Sequence, residues 1–597
     1  MKKIKEIFNK IKPIIIILLS IFVTFSINMN WDKDVEIRYS YTGNSILCVV
    51  FYALIYWLLK EVSEKKNKRL KICSAILAIL FASFEVVGNS VNAYLDLSGI
   101  LSSKITIMKS IIKWFGYLIL IYGIISKIFI KLDNAEFIKG KLKFFTCNKR
   151  SFLLTWTIIF IAWIPYFLNY YPGVISPDSI SQICQGLGIY NMTSHHPIFH
   201  TFLISIAMNI GKIIGNYNVG VAIYSLTQMV VVSGIFAFAI YYMAKRNIDI
   251  RYRFLTLLFY AFYPINGLYS ITMWKDIPFA AVMLIFTIMV TEIAVNQEHF
   301  MKSKLKTVLL IISMILVFLF RNNGFYVILL TIPFLFIVAK KYYKKLAVIS
   351  AIVLVMYGII NGPLINLLNI SRGSAREALS IPLQQFARVT KYHSDTLTDD
   401  EKWRIYKYLP TEELATLYTP QISDPVKNKF SNEAFAEDKL GLVKLYIKLA
   451  IKYPRATIES FLCGNYGYWY PEAFNWVVGR EIYQPDKQEE KNLDLKSTPI
   501  VELKELEKYD SLLDRRDLPL NSMLYSIGFT FWMVITMAMY VIYNKKYKSI
   551  VIYIPIIILW LTTIASPVFG EFRYIYSMFT CLPILIGINF RKKENNF

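Results

Sequence analysis

The sequence predicts an all-α polytopic membrane protein: a transmembrane helix bundle of about 14 spans with a mainly helical extracytoplasmic region. Three observations carry this. First, 55% of the 597 residues are hydrophobic and 16% aromatic, mean hydropathy is +0.44, and many apolar runs reach or approach the length that crosses a bilayer. Second, the basic residues cluster between alternate runs. Third, the run interiors are nearly free of charge, Glu85 and Glu292 lying toward run ends.

In chain order, MKKIKEIFNKIK leads into an apolar run with no small-residue cleavage site, which predicts an uncleaved first span rather than a signal peptide. Spans near 13–29, 45–60, 71–88 and 108–130 form a four-span extension over 1–150. A membrane core over 151–362 holds spans near 152–169, 219–243, 254–270, 278–295, 306–320, 324–339 and 346–362, with a first outer loop at 170–218. A polar, mainly helical region fills 363–518, its part 480–515 charged and loop-like. Three spans near 521–543, 548–566 and 572–590 complete the core over 519–597.

The run 197–214 is apolar but short, and the positive-inside rule decides its placement. If it does not cross, eight segments share one side: 1–12, 60–71, 131–150, 244–253, 296–306, 340–345, 544–548 and 591–597. They hold 34 Lys or Arg against 8 Asp or Glu, which absorbs the whole net charge of +25. If it crosses, KRNIDIRYR and KKYYKK change sides and the asymmetry breaks. The run is therefore expected as a re-entrant or surface helix, in a multi-pass cell-membrane protein with both termini cytoplasmic. The basic character is topological and implies no nucleic-acid partner. The six cysteines are scattered without CxxC or metal-ligand spacing.

This topology gathers polar groups at the outer ends of spans. Asp178, His195, His196 and His200 lie in the first outer loop, Lys275 and Asp276 in SITMWKDIPF, Arg321, Asn322 and Asn323 in FLFRNNGFY, and Glu571, Arg573 and Tyr574 in FGEFRYIYS. Charges at span ends are ordinary singly; four mixed groups on one face predict a shared site facing the extracytoplasmic side. Ser176-Pro177 marks a helix start. Asp178, Gln182 and Gln185 then share a polar face opposite Ile180, Ile183, Cys184 and Leu187, the pattern of an amphipathic helix on a membrane surface. Asp178 also sits where a carboxylate favours a helix N-terminus, so a purely structural role stays open. Region 363–518 opens with Arg372, Arg376, Gln384, Gln385 and Arg388, of which Gln385 and Arg388 join the candidate substrate contacts. Tyr466, Tyr468, Trp469 and Tyr470 suit either stacking on sugar rings or anchoring at the interface.

An outward site has no access to cytoplasmic nucleotide sugars or ATP, so group transfer there needs a donor already in the membrane. A polyprenyl-phosphate sugar fits. Its cleavage needs a carboxylate for the acceptor proton, supplied by Asp178 or Asp276. It needs cations for the departing phosphate, supplied by Lys275, Arg321 and Arg573. Asp178 and Asp276 with a histidine also offer donor types that a divalent ion takes, although no cage is visible, and His195 and His196 join the candidate substrate contacts.

NYYPGVISPDSISQ, followed by SHHPIFHTFLISI, resembles the first outer loop of GT-C membrane glycosyltransferases, including the protein O-mannosyltransferase and aminoarabinose transferase relatives. TMWKDIPFA resembles their second acidic position and FGEFRYIYS an outer Arg-Tyr motif, so the resemblance covers roughly 150–362 and 521–590. It implies a GT-C-like core and inverting transfer from a polyprenyl-phosphate donor to a cell-envelope glycan, lipid or protein. It gives Asp178 the role of base or metal ligand and makes Asp276 the second acid. The chain departs from that pattern in its four leading spans, its single first-loop Asp and its His196-Pro197-Ile198. QQFAR resembles an uncharacterised bacterial branch. The competing expectations are a transporter or lipid-linked-glycan flippase, disfavoured by bare span interiors and the lack of inverted halves, and a non-catalytic scaffold, which would leave Asp178, Asp276 and Arg573 apart.

Overall fold

A computed structural model describes residues 2–29, 45–135, 146–477, 479–513, 519–565 and 567–590. Parts of the basic segments 1–12 and 131–150, and all of 591–597, lie outside the described residues. Among the described residues the protein is helical, with isolated bridges and no β-strand. The extension comprises α1 (Lys2–Ile27), α2 (Ser45–Ser63), α3 (Lys68–Tyr94) and α4 (Lys104–Asp133). The core continues with α5 (Lys149–Asn169), α6 (Pro177–Gly186), α7 (Ile198–Ile214), α8 (Tyr217–Lys245), α9 (Ile250–Phe262), α10 (Pro264–Ser270), α11 (Asp276–Val295), α12 (Lys304–Phe320), α13 (Gly324–Val338) and α14 (Tyr343–Ile359). Region 363–518 contributes α15 (Ser380–His393), α16 (Lys439–Lys452) and α17 (Pro454–Asn465), and the C-terminal part α18 (Ile527–Tyr543), α19 (Ile554–Ala565) and α20 (Phe572–Gly587).

Among the described residues, seven helical stretches are long and apolar enough to cross a membrane: Ile46–Ser63, Lys68–Tyr94, Lys104–Asp133, Lys149–Asn169, Tyr217–Lys245, Asp276–Val295 and Lys340–Leu367. Each segment expected as a span carries helix, but not always in one piece. The expected span 254–270 breaks into α9 and α10 because Pro264 holds Tyr263 extended (φ −67°, ψ 119°). The Tyr260 carbonyl freed there is satisfied by side chains, accepting from Trp163 Nε1 at 3.2 Å and from Asn266 Nδ2 at 3.4 Å. Likewise α14 runs into a wide turn at Ile360–Leu364 that contains Pro363.

Helix α11 is the axis of the bundle, buried nearly all round and packed between α8, α12 and α20. Helix α7 keeps an apolar outer face, with Ile213 85% exposed, as a helix against lipid would. Bonds to region 363–518 flank it on both sides: Ser194 N in the preceding loop donates to Ser371 O (2.8 Å), and Asn218 Oδ1 in the first turn of α8 accepts from Lys496 N (3.2 Å).

Three expectations need correction. Helix α6 keeps only Asp178 of its expected polar face open. Gln182 is buried and donates to Thr201 Oγ1 at 2.9 Å, and Gln185 accepts from Thr193 N at 3.0 Å, so both faces pack. Tyr466, Tyr468, Trp469 and Tyr470 are all buried, and therefore neither a sugar platform nor an interface anchor. They fill the core against α3 and α18, where the Trp469 ring meets Phe84 edge-on at 5.1 Å and Trp469 O accepts from Trp532 Nε1 at 2.9 Å. Charge also enters the extension: Glu85 and Lys113 are buried on the facing helices α3 and α4.

Region 363–518 has its own apolar core, built around Leu383, Phe386, Leu445 and Leu449. Gln385 and Arg388, expected to bind substrate, belong to that core's polar seam instead. Gln385 Nε2 donates to Thr457 O at 3.1 Å. Arg388 pairs with Glu459 at 2.6 Å and donates to Tyr418 Oη at 3.0 Å and Leu95 O at 3.3 Å. Both are amphipathic-helix residues whose polar ends turn inward. Glu459 also accepts from Leu97 N at 3.1 Å, so the α3–α4 turn is fastened to α15 and α17.

Replacing Arg388 by Met leaves Glu459 buried, with half-exposed Arg455 its remaining cationic partner. Arg388→Met is expected to destabilise the protein by about 3 kcal/mol, seen as a lower melting temperature and earlier proteolysis within 363–518. Adding Glu459→Gln should recover much of the loss, since no charge is then stranded.

Candidate functional site

The site is built where α6, α11, α12 and α20 end or begin. Ser176 caps α6 through a capping box with Ser179, and Pro177 takes the first turn. This directs Asp178 out of the first turn. The helix is pinned to the approach to α11: Val174 N donates to Ile271 O and Met273 N to Val174 O, both at 3.0 Å, and Ser179 Oγ donates to Met273 O at 2.7 Å. A buried polar relay supports the same stretch. His200 bridges Gln182 (3.1 Å) and Tyr224 (2.7 Å), Tyr224 Oη donates to Gln228 Oε1 at 3.1 Å, and Gln228 Nε2 donates to the carbonyls of Tyr269, Ser270 and Thr272 at 2.8–3.1 Å. The next residues are Trp274, Lys275 and Asp276.

Around Asp178 the charges interlock. Arg573 Nη1 donates to Asp178 Oδ2 at 2.8 Å and Arg573 Nε to Glu571 Oε2 at 3.2 Å, while its guanidinium lies 4.7 Å from the centre of the Trp274 ring. Lys275 Nζ stands 3.6 Å from Asp178 Oδ2 and donates to His196 Nδ1 at 3.0 Å. The start of α20 is set by backbone pairing: Trp476 N donates to Gly570 O (2.8 Å) and Phe572 N to Trp476 O (2.9 Å). Gly570 sits at φ +60°, where a side chain would strain, and a Cβ there would meet Phe474 O at 2.6 Å.

These side chains line one cavity of about 510 Å³, together with His195, Arg321, Asn322 and Tyr574. The sequence reading thus brought together eight of its candidate contacts with Asp178. Asp276 departs from expectation. It is 0% exposed, does not line the cavity, and pairs with Arg321 at 3.0 Å. Arg321 in turn donates to Tyr574 O at 3.3 Å and lies 4.5 Å from that ring's centre. Asp276 therefore orients a cation beneath the cavity rather than facing a substrate.

The structure also adds residues that the sequence reading passed over. Glu377, Asp424 and Lys427 line the cavity, as does Arg376. The signal available was weak: RGSARE and SDPVK are polar stretches like many others in 363–518. Their segment is registered on the histidine loop, where Ser371 N donates to Met192 O at 3.1 Å and Gly373 N to Ser194 Oγ at 3.1 Å.

Burial pushes the Asp178 carboxyl up, but Lys275 and Arg573 outweigh it and hold the group well below the usual carboxylate range. Asp178, 32% exposed to the cavity, is ionised. Burial and then Lys275 push His196 down to about 3, so it stays neutral and accepts a hydrogen bond from Lys275. Burial pushes Glu571 up, against the pull of Arg573. The donor set does not fit a divalent ion: among the described residues no three His, Cys, Asp or Glu converge, and each aspartate is already held by a cation.

The chain belongs to a family of unknown function, DUF6020, whose model matches residues 189–596. That span includes Lys275, Asp276, Arg321, Glu571 and Arg573 and starts beyond Asp178. No curated protein and no solved structure matches the chain.

His196 gives the site an acid sensitivity. The unfolded chain protonates it near pH 6.5, the folded protein only near 3. The unfolded state therefore binds more protons between those values, and stability falls as pH drops from 6.5 by up to about 1.4 kcal/mol per unit. His196→Gln keeps an acceptor for Lys275 without the titration. Denaturation midpoints measured between pH 7 and 4.5 are expected to fall less steeply in this variant than in the parent.

Proposed function

We propose that this protein is a membrane glycosyltransferase of the GT-C type. It moves a sugar from a polyprenyl-phosphate-linked donor to an acceptor at the outer face of the cytoplasmic membrane. One observation carries the reading: Asp178, Lys275, Arg321 and Arg573, from four separate segments, meet at one cavity. A scaffold has no need of this convergence. A transporter needs a polar path onward, yet the buried face of α11 beyond Asp276 is apolar from Ile277 through Phe286, with Phe279, Met283 and Leu284 in the core.

In this reading the acceptor hydroxyl oxygen bonds to the sugar's anomeric carbon while the bond from that carbon to the phosphate oxygen breaks. The electron pair leaves with the polyprenyl phosphate, and the hydroxyl proton passes to Asp178. Arg573 and Lys275, with Arg321 beside them, stabilise the phosphate charge. A carboxylate so strongly held by cations is a weak base in the resting site. A bound phosphate divides Arg573 and Lys275 between two anions, which raises the basicity of Asp178 when the donor is present.

The expected sidedness gains support from the segments before and after α7, both of which bond to region 363–518, as they would around a surface helix. Counting α9–α10 as one broken span, leaving out α7 and including α12, α20 and the shorter apolar helices, we infer 14 spans. The positive-inside partition then puts both termini in the cytoplasm. With exposed Cys147 replaced by Ser, an impermeant thiol reagent added outside cells is expected to label Lys496→Cys and to spare Lys302→Cys. Both positions are well exposed, so the reverse pattern would invert the topology.

Asp178→Asn keeps shape and removes the charge. Transfer from a polyprenyl-phosphate sugar by the purified variant is expected to slow by roughly 10²–10⁴-fold, with melting behaviour near the parent's. Parental turnover in a folded variant would remove Asp178 from the chemistry.

A further inference from the structure

The cavity has a second wall that the transfer chemistry does not use. It is made by Arg376, Glu377, Ser380, Asp424, Lys427 and Asn428, all from region 363–518. Its charges form one chain: Arg376 Nε donates to Glu377 Oε1 at 3.2 Å, Lys427 Nζ to Glu377 Oε2 at 2.7 Å, and Lys427 Nζ lies 2.8 Å from Asp424 Oδ1. Lys427 is nearly buried, so this chain is held rigidly from behind. In front, Asp424 is 57% exposed and Glu377 about a third.

The composition of this wall selects its ligand. It is electrically balanced, and its most exposed charge is a carboxylate, which repels a phosphate. It offers acceptors (Glu377, Asp424) and donors (Arg376, Lys427) at neighbouring points, with Asn428 able to do both. Apolar and aromatic surface is absent from it. Alternating fixed donors and acceptors match adjacent hydroxyl groups, each of which both gives and takes a hydrogen bond. The wall is also fixed relative to Asp178, because the backbone pairing of 371–373 with 192–194 ties it to the loop that carries His195 and His196.

We propose that the Arg376–Glu377–Lys427–Asp424 wall is a binding subsite for a neutral polyhydroxylated ligand, a glycan chain, presented to Asp178 as the acceptor. The acceptor role rests on the transferase reading; the carbohydrate subsite does not. The wall selects the hydroxyl-bearing partner, and the Asp178–Arg573 side handles the phosphate. Asp424 and Arg376 are specificity residues of this subsite, and Lys427 positions both carboxylates.

The test uses the full-length protein in detergent and two probes. One is a set of neutral oligosaccharides, cellotetraose, maltotetraose and chitotetraose. The other is undecaprenyl phosphate. Asp424→Asn and Arg376→Gln alter exposed groups and are expected to fold; Lys427→Met is the stronger change, its folding checked by melting. At least one oligosaccharide is expected to bind the parent saturably. The three variants should weaken that binding about tenfold, the size of one lost charge-assisted hydrogen bond, and leave undecaprenyl phosphate binding within about twofold of the parent's. Arg573→Lys should show the opposite pattern. Absence of oligosaccharide binding to the parent, or unchanged binding in folded Asp424→Asn and Arg376→Gln, would overturn the subsite. Loss of undecaprenyl phosphate binding in those two variants would overturn it equally, by making the wall a phosphate site. If the parent binds oligosaccharide but no undecaprenyl phosphate, the transferase reading fails while the carbohydrate subsite stands.

Discussion

The ion pair between Arg573 and Asp178 joins residues 395 apart in the chain, and the rest of the site is arranged to let it form. Neither side chain is free to search. Asp178 is fixed because residues 174 and 175 are clasped on both sides, Val174 by the 271–273 segment and Ile175 by Tyr483, whose N–H donates to Ile175 O at 2.9 Å. Arg573 is fixed because α20 enters from a backbone pairing with Trp476, and because its guanidinium rests over Trp274. Trp274 Nε1 donates to Ser176 Oγ, the cap of Asp178's own helix. One indole thus serves both partners. Much of the positional precision comes from short extended segments between helices, which a membrane bundle tolerates only where protein covers them.

Charge balance dictates the depth of each group. Beneath the pair lies a second one, Asp276, fully enclosed at the start of α11, with Arg321 from the end of α12. A lone carboxylate there would cost several kcal/mol, so Asp276 is compatible with the fold only because Arg321 reaches it. Arg321 is then held taut between Asp276, Tyr574 O and the Tyr574 ring, which leaves the rest of its donor fork facing the cavity. The other end of α11 repeats the device, Glu292 meeting Arg246 and, at 3.8 Å, Lys306. Between the two charged ends the helix carries no charge, its polar groups being the hydroxyls of Thr287 and Thr291. The axis of the bundle is therefore an uncharged rod with a charged layer at each end, and the Asp276–Arg321 layer borders the cavity.

The fold was largely legible because hydropathy is a strong constraint: an apolar run in lipid must satisfy its own backbone, and a helix does so. The break at Tyr263–Pro264 lay in plain sight as a proline, but a run of apolar residues masks it, and the freed Tyr260 carbonyl is repaired by nearby Asn266 and by Trp163, which the sequence does not link to it. The candidate site was legible where one or two charges stood at the end of an otherwise apolar run, as at Lys275–Asp276, Arg321 and Glu571–Arg573. It was not legible in 363–518, where charges are frequent. Arg388 and Lys427 look alike in sequence, yet Arg388 turns into the core against Glu459 and Lys427 lines the cavity. Tyr466, Tyr468, Trp469 and Tyr470 failed for a related reason. Aromatic residues with polar tips suit an interface, a sugar and a core equally, and here Trp532, Phe84 and Val568 supply the partners that make them core.

The four-helix extension looks dispensable by position, since the family match begins at residue 189. The contacts argue otherwise. Its α3–α4 turn gives Leu97 N–H to Glu459 and Leu95 O to Arg388 and Cys463, so the buried Arg388–Glu459 pair is completed by backbone from the extension. Gly88 of α3 lies against Tyr470 and Trp469 so closely that a Cβ there would come within 2.3 Å of the Tyr470 ring. The extension therefore packs against the aromatic segment that precedes Trp476, and Trp476 sets the entry of α20 and with it Arg573. It also fastens α15 and α17, whose neighbouring residues Arg376, Glu377 and Ser380 form the second wall. Both walls of the cavity trace back, within a few contacts, to the same hairpin. The extension is thus a brace that fixes the width of the cavity, and its distance from the charged groups in sequence says little about its bearing on them.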